Sequence, residues 1–120
     1  MKYHGIKPVY NVWLSKDDGK YFGPGVAMLI EGVKRTGSLS SAAKEIGMAY
    51  SKAWRIVRTA ESVFGCKMLA TSTGGKNGGG ASLTPEAVSL LAAYDGYCAE
   101  VGGFAAQRFS AAFGAFEKQS

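Results

Sequence analysis

Histidine and cysteine are scarce in this chain, one and two among 120 residues. His4 stands in the N-terminal stretch, and Cys66 and Cys98 lie far apart with no Cys-x-x-Cys pair. A disulfide framework and a zinc site both need more than this, so no metal and no cofactor are expected. The two thiols read as reduced and packed, the general habit of free cysteine. Carboxylates are sparse as well, 9 against 14 lysines and arginines. Asp17 and Asp18 share a turn, while Glu31, Glu45 and Glu61 fall on separate predicted helices. No triad and no acid–base pair is evident, and an enzyme is not expected.

Long apolar runs are missing too. Nothing approaches the roughly 20 residues that span a bilayer. Met1-Lys2-Tyr3-His4-Gly5 lacks the apolar stretch of a signal peptide. A cytoplasmic protein without a membrane partner is therefore expected. Nucleotide-binding loops also fail on inspection. Gly75-Lys76 is followed by Asn77 rather than the hydroxyl residue that ligates magnesium, and Gly23-Pro24-Gly25 has Met28 where a dinucleotide fingerprint wants glycine.

What is present is an ordinary globular composition, 47% hydrophobic and 19% charged, in a chain of one domain's length. Its charge is unevenly placed. Between residues 34 and 80 lie Lys34, Arg35, Lys44, Lys52, Arg55, Arg58, Lys67 and Lys76, opposed only by Glu45 and Glu61. That stretch carries +6 where the whole chain carries +5, so the flanks are nearly neutral. Such a segment suits a polyanion, although charge alone fits a solvated surface equally well.

Pro8–Leu14 is aromatic and β-branched, Asp18-Gly19 is a turn dipeptide, and Tyr21-Phe22 resumes the apolar pattern, which predicts a strand and a short hairpin. Pro24 can open a helix. Val26, Leu29, Ile30 and Val33 then line one face of it, Lys34 and Arg35 fall in its last turn, and Gly37 ends it. Ser38 can cap a second helix with Leu39, Ala42, Ala43 and Ile46 on its face, ending at Gly47. A third carries Ala53, Val57, Ala60 and Phe64 and stops at Gly65. Two short helices joined by a tight turn make a helix-turn-helix. Lys67–Thr71 and Ala81–Thr84 read as strands around the glycine-rich tip Gly74–Gly80, a wing. Thr84 caps a long last helix, with Pro85 first and Glu86 in the first turn. Gly102-Gly103 is a possible kink in it.

The predicted fold is therefore mainly α with a small β wing (α+β), a winged helix-turn-helix with an N-terminal strand or hairpin and a long C-terminal helix. It reads as a single domain over residues 1–120: strand or hairpin over 1–22, helix-turn-helix and wing over 23–84, and a dimerisation helix over 85–120.

In such a unit the start of the second helix meets base edges in the major groove. Here that start offers Tyr50, Ser51, Lys52 and Arg55. Lys52 and Arg55 suit guanine or phosphate, Tyr50 and Ser51 suit either, and Arg58, one turn on, suits the backbone. The amides after Ser38, with Ser40 and Ser41, can hold a phosphate. Lys76 and Asn77 at the wing tip are placed for the minor groove or a phosphate. Trp54 reads as core more readily than as a base-stacking ring. On the last helix Leu90, Tyr94, Tyr97, Val101 and Phe104 form a heptad-like stripe, open to reading as core or as a dimer seam. Phe109, Phe113 and Phe116 extend the apolar surface.

Gly37-Ser38-Leu39-Ser40-Ser41-Ala42-Ala43 resembles the opening of the second helix in LysR-type regulators. Gly47-Met48-Ala49-Tyr50-Ser51-Lys52-Ala53-Trp54, with the run from Thr73 to Thr84, is similar to the N-terminal winged-helix domain of the molybdate-responsive ModE regulators. The likeness covers roughly residues 22 to 100. It implies a dimer joined through the long terminal helices and binding to operator DNA, usually for repression. Two departures stand out: the family usually has serine where this chain has Ala49, and its molybdate-binding domains are not expected here, the sequence ending at Ser120. The resulting expectation is a homodimeric, sequence-specific binder of double-stranded DNA, a transcriptional regulator. The alternatives are a winged-helix protein-interaction module docking through Phe104–Phe116, and a small oxyanion sensor using the glycine loop.

Overall fold

The structure, a computed structural model, describes residues 5–72 and 80–117, with side chains described as far as residue 114. Its order is β1 (Leu14–Lys16), β2 (Gly19–Phe22), α1 (Pro24–Thr36), α2 (Leu39–Glu45), α3 (Tyr50–Phe64), β3 (Leu69–Ser72), β4 (Gly80–Leu83) and α4 (Pro85–Glu117). This is the winged helix-turn-helix, mainly α with two small hairpins, that the sequence predicts.

The first hairpin sits later than its hydrophobic pattern suggested. Pro8–Trp13 forms no regular strand, and pairing begins only at Leu14, opposite Phe22. Asp17 at the turn takes a left-handed φ of 55°, with Lys16 set against Gly19, and the strand register runs back only as far as Leu14. The wing pairs Leu69 with Leu83 and Ser72 with Gly80. Its tip, with Lys76 and Asn77, lies outside the described residues.

Val12–Ala92 forms one compact unit. Its core brings Leu29 and Val33 of α1, Leu39, Ala42 and Ala43 of α2, and Ala53 and Val57 of α3 together with Leu69 of the wing. α1 and α2 approach so closely that a Cβ at Gly32 would stand 2.8 Å from the Ala42 Cβ. Glycine is needed there for space. At Gly37 it is needed for conformation: φ is +73°, and its N–H closes α1 on the Val33 carbonyl. The Gly37 carbonyl then accepts the Ala81 N–H at 2.9 Å, which pins the wing to the α1–α2 junction. Thr84 joins the other end of the wing to α4. Its hydroxyl donates to the Lys67 carbonyl at 2.6 Å and accepts the Ala87 N–H at 3.1 Å.

The second unit comprises the segment up to Asn11 and the chain from Ala93 onward. Tyr94 and Ala105 are buried, Cys98, Val101 and Phe109 half-buried, and the Phe109 and Phe113 rings lie 4.8 Å apart. α4 runs through Gly102-Gly103 without a break. No helix among the described residues is long and apolar enough to cross a membrane.

Candidate nucleic-acid interface

α2 is set by its cap. The Ser38 hydroxyl accepts the Ser41 N–H at 3.1 Å, while Thr36 donates from its hydroxyl to the Gly32 carbonyl and holds the turn before it. Ser40 and Ser41 are exposed and Ser38 is half-buried. After α2 the Met48 N–H returns to the Ala43 carbonyl at 2.8 Å and aims the chain into α3. α3 begins without such help: Ala49 is its cap, extended, with no side-chain hydrogen bond. The orphan amides of that turn are left for water or a ligand.

α3 buries Ala53, Val57 and Ala60 and presents two edges. Tyr50, Trp54 and Arg58 follow one another at four-residue spacing along the first. The Tyr50 and Trp54 rings meet edge to face at 6.3 Å, and the Arg58 guanidinium lies 5.0 Å from the Trp54 ring centre. Trp54 is half-buried against the core, so it forms a wall on which Tyr50 and Arg58 rest. This edge faces a cleft of about 320 Å³ shared with the cap residue Ser38, with Ser40 of α2 and with Thr71, Ser72 and Gly80 at the base of the wing. Lys52 and Arg55 lie on the other edge, both exposed, and Ser51 stands exposed at the start of the helix. The structure thus gathers Ser38, Ser40, Tyr50 and Arg58 in one place and puts Lys52 and Arg55 in another.

Charge pairing sharpens the picture. Arg35 of α1 grips Glu45 of α2 through both guanidinium nitrogens, at 2.9 and 2.5 Å. The hydrogen bond from Arg35 holds the Glu45 carboxyl below its usual range, and Glu45 raises Arg35 in return. Glu61 turns inward, accepts the Met68 N–H at 2.8 Å, and lies 4.0 Å from Lys67. Both acids of the basic stretch are therefore occupied. Among the described residues no carboxylate pairs with Lys52, Arg55 or Arg58.

Sequence reasoning missed Thr71 and Ser72, because nothing in a strand's pattern says which end of it meets a helix. It also missed the Arg35–Glu45 pair, whose members sit ten residues apart on different helices. No group of His, Cys, Asp and Glu among the described residues could hold a metal ion.

The α4 stripe divides by exposure. Tyr94 is buried, Leu90 and Val101 are half-buried, and Tyr97 and Phe104 are 57% and 65% exposed. Burial, then a hydrogen bond with Cys98, pushes the Tyr94 phenol up to about 12.

The sequence profile of the bacterial regulatory helix-turn-helix proteins of the lysR family matches residues 28–88, from within α1 through the first turn of α4. Among curated proteins, the molybdenum-pterin-binding protein MopB of Rhodobacter capsulatus is 42% identical over 66 residues, 55% of this chain and 24% of that protein. The molybdenum transport protein ModE of Herbaspirillum seropedicae is 41% identical over 66 residues, again 55% of this chain and 24% of its own length. The DNA-binding transcriptional dual regulator ModE of Escherichia coli is 34% identical over 67 residues, 56% of this chain and 26% of the relative. The matched stretch thus amounts to about a quarter of the length of each of these relatives.

Proposed function

The chain belongs to the lysR family of bacterial regulatory helix-turn-helix proteins, and from that premise we propose that it binds double-stranded DNA as a sequence-specific transcriptional regulator of the ModE kind. The observation that carries this is the cationic surface of α3. Lys52, Arg55 and Arg58 stand exposed on one helix while both neighbouring carboxylates, Glu45 and Glu61, are tied up elsewhere. A helix of this kind, led by a short capped helix and followed by a wing, fits a major groove.

Lys52 and Arg55, with Ser51, would meet base edges. Tyr50, Arg58 and the serines Ser38, Ser40 and Ser41 would take phosphates on the side of the wing, and Lys76 and Asn77, outside the described residues, would add a minor-groove or phosphate contact. The active form is a homodimer whose two α3 helices read a two-fold site. Its seam runs through Tyr97 and Phe104, with Leu90 and Val101 beside them and Tyr94 supporting it from beneath. Regulation is by repression in the cytoplasm, through occupation of an operator. The whole chain from 1 to 120 acts as one functional domain.

The test is a labelled duplex titrated at increasing salt. Affinity should fall linearly with log salt, and Lys52→Ala or Arg55→Ala should cost about 1–3 kcal/mol on the selected site. Arg58→Ala should weaken all duplexes alike and flatten the slope by about one unit. No binding at low salt would sink this reading in favour of a protein-docking module using Tyr97 and Phe104.

A further inference from the structure

The second edge of α3 is not flat. Between it and the β1–β2 hairpin lies a cleft of about 460 Å³, inside the compact unit of Val12–Ala92. The hairpin and the segment before it supply Trp13, Lys20 and Tyr21, and α3 supplies Lys52, Arg55 and Ile56. Its volume falls in the range of small-molecule sites, which are mostly apolar with a few placed polar groups. Here the charged groups are Lys20, Lys52 and Arg55, and among the described residues no carboxylate lines the space. Apolar surface lies among them, from Trp13 and Tyr21 on the hairpin side and Ile56 on α3, and the Lys20 ammonium stands 6.0 Å from the Trp13 ring centre.

This combination selects a chemistry. A bare phosphate would satisfy the cations and leave the Trp13 and Ile56 surface wet. A neutral ring would cover that surface and strip water from three uncompensated charges, which is costly. A flat ring bearing a carboxylate, sulfonate or phosphate satisfies both at once. We infer that this cleft binds a small planar aromatic anion, and that the ligand and DNA compete for Lys52 and Arg55. The competition rests on the DNA-binding reading above; the ligand site does not.

The probe is 8-anilinonaphthalene-1-sulfonate, read by its own fluorescence on the full chain without DNA. Saturable one-to-one binding is expected, with the uncharged N-phenyl-1-naphthylamine about tenfold weaker and inorganic phosphate unable to displace the dye. Two variants locate the site. Lys20→Ala removes a cation from the one exposed position of β2 and should weaken the dye several-fold. Gly25, in the first turn of α1, also borders the cleft, and nothing stands within 4 Å of where its Cβ would be. Gly25→Leu should therefore fill the space and abolish dye binding while leaving thermal stability intact. Neither residue is assigned to DNA contact, so both variants should bind duplex as the wild type does and lose the dye's ability to displace it.

Equal binding of the charged and uncharged dyes, or undiminished binding in both variants, would overturn the site. Dye that binds the cleft without displacing duplex would overturn the competition alone. Dye bound by a protein that takes up no duplex at any salt would support the cleft and sink the regulator reading instead.

Discussion

Ala49 occupies a position at which a helix asks for an acceptor. Its backbone is already extended, with φ −63° and ψ 141°, and only the side-chain oxygen is missing. Ala49→Ser should therefore stabilise the protein by about 0.5–2 kcal/mol, measured by urea denaturation at unchanged slope. A neutral result would mean that the amides of this turn are already well solvated. Tyr94 makes the opposite kind of prediction, one about pH. Its folded value of about 12 lies above the ordinary 10, so folding favours the protonated phenol. The contribution is complete below pH 10, where neither state has ionised, and disappears as pH rises through about 12. Tyr94→Phe should flatten the alkaline limb of the stability–pH curve. An unchanged limb would assign that limb to other groups.

At the scale of elements, the approach of α1 to α2 is governed by Gly32. Adding a methyl group there brings Cβ within 2.8 Å of the Ala42 Cβ and 3.2 Å of its Cα, so a backbone would have to move. Gly32→Ala gains helix propensity, worth about 1 kcal/mol, but overpacking costs about 1–3 kcal/mol. Net destabilisation is expected in thermal melts, and Gly32→Ala paired with Ala42→Gly should recover most of it. Failure of the pair to recover would point to a wider distortion.

The helices were legible because their signals are local. Pro24, Ser38 and Thr84 stand at helix starts, and Gly37 and Gly65 just past helix ends: the two hydroxyls accept first-turn amides, the glycines close on carbonyls, and proline has no N–H to leave unpaired. The strand over Pro8–Leu14 was misplaced because alternation marks an extended chain and says nothing about a partner. Here the pairing runs back from the turn at Asp17 only as far as Leu14. The candidate interface was legible as a set of residues and not as a geometry. Tyr50, Lys52, Arg55 and Arg58 read as one cluster along the sequence, whereas the helix sorts them onto two edges with a cleft on each.

For the whole molecule, the exposed rings of α4 raise the question of assembly. Tyr97 and Phe104 lie seven residues apart, the repeat that keeps a seam in register between paired helices. Phe104→Glu, combined with Tyr97→Glu, should convert a dimer into a folded monomer by sedimentation, because neither side chain is part of the core. The same change should weaken binding to a two-fold DNA site far more than binding to a half-site. A protein that sediments as a monomer before substitution would refute the seam.

The two tryptophans of this chain, Trp13 and Trp54, border different clefts on opposite edges of α3. The protein therefore carries two native optical probes at separate addresses. Trp54 emits beneath the guanidinium of Arg58, so drawing that arginine away toward a phosphate should alter its quantum yield. Trp13 emits beside Lys20 and reports on whatever enters the hairpin cleft. In Trp13→Phe only Trp54 emits and in Trp54→Phe only Trp13, so the two single variants, measured separately, follow each occupancy by emission alone and without a label.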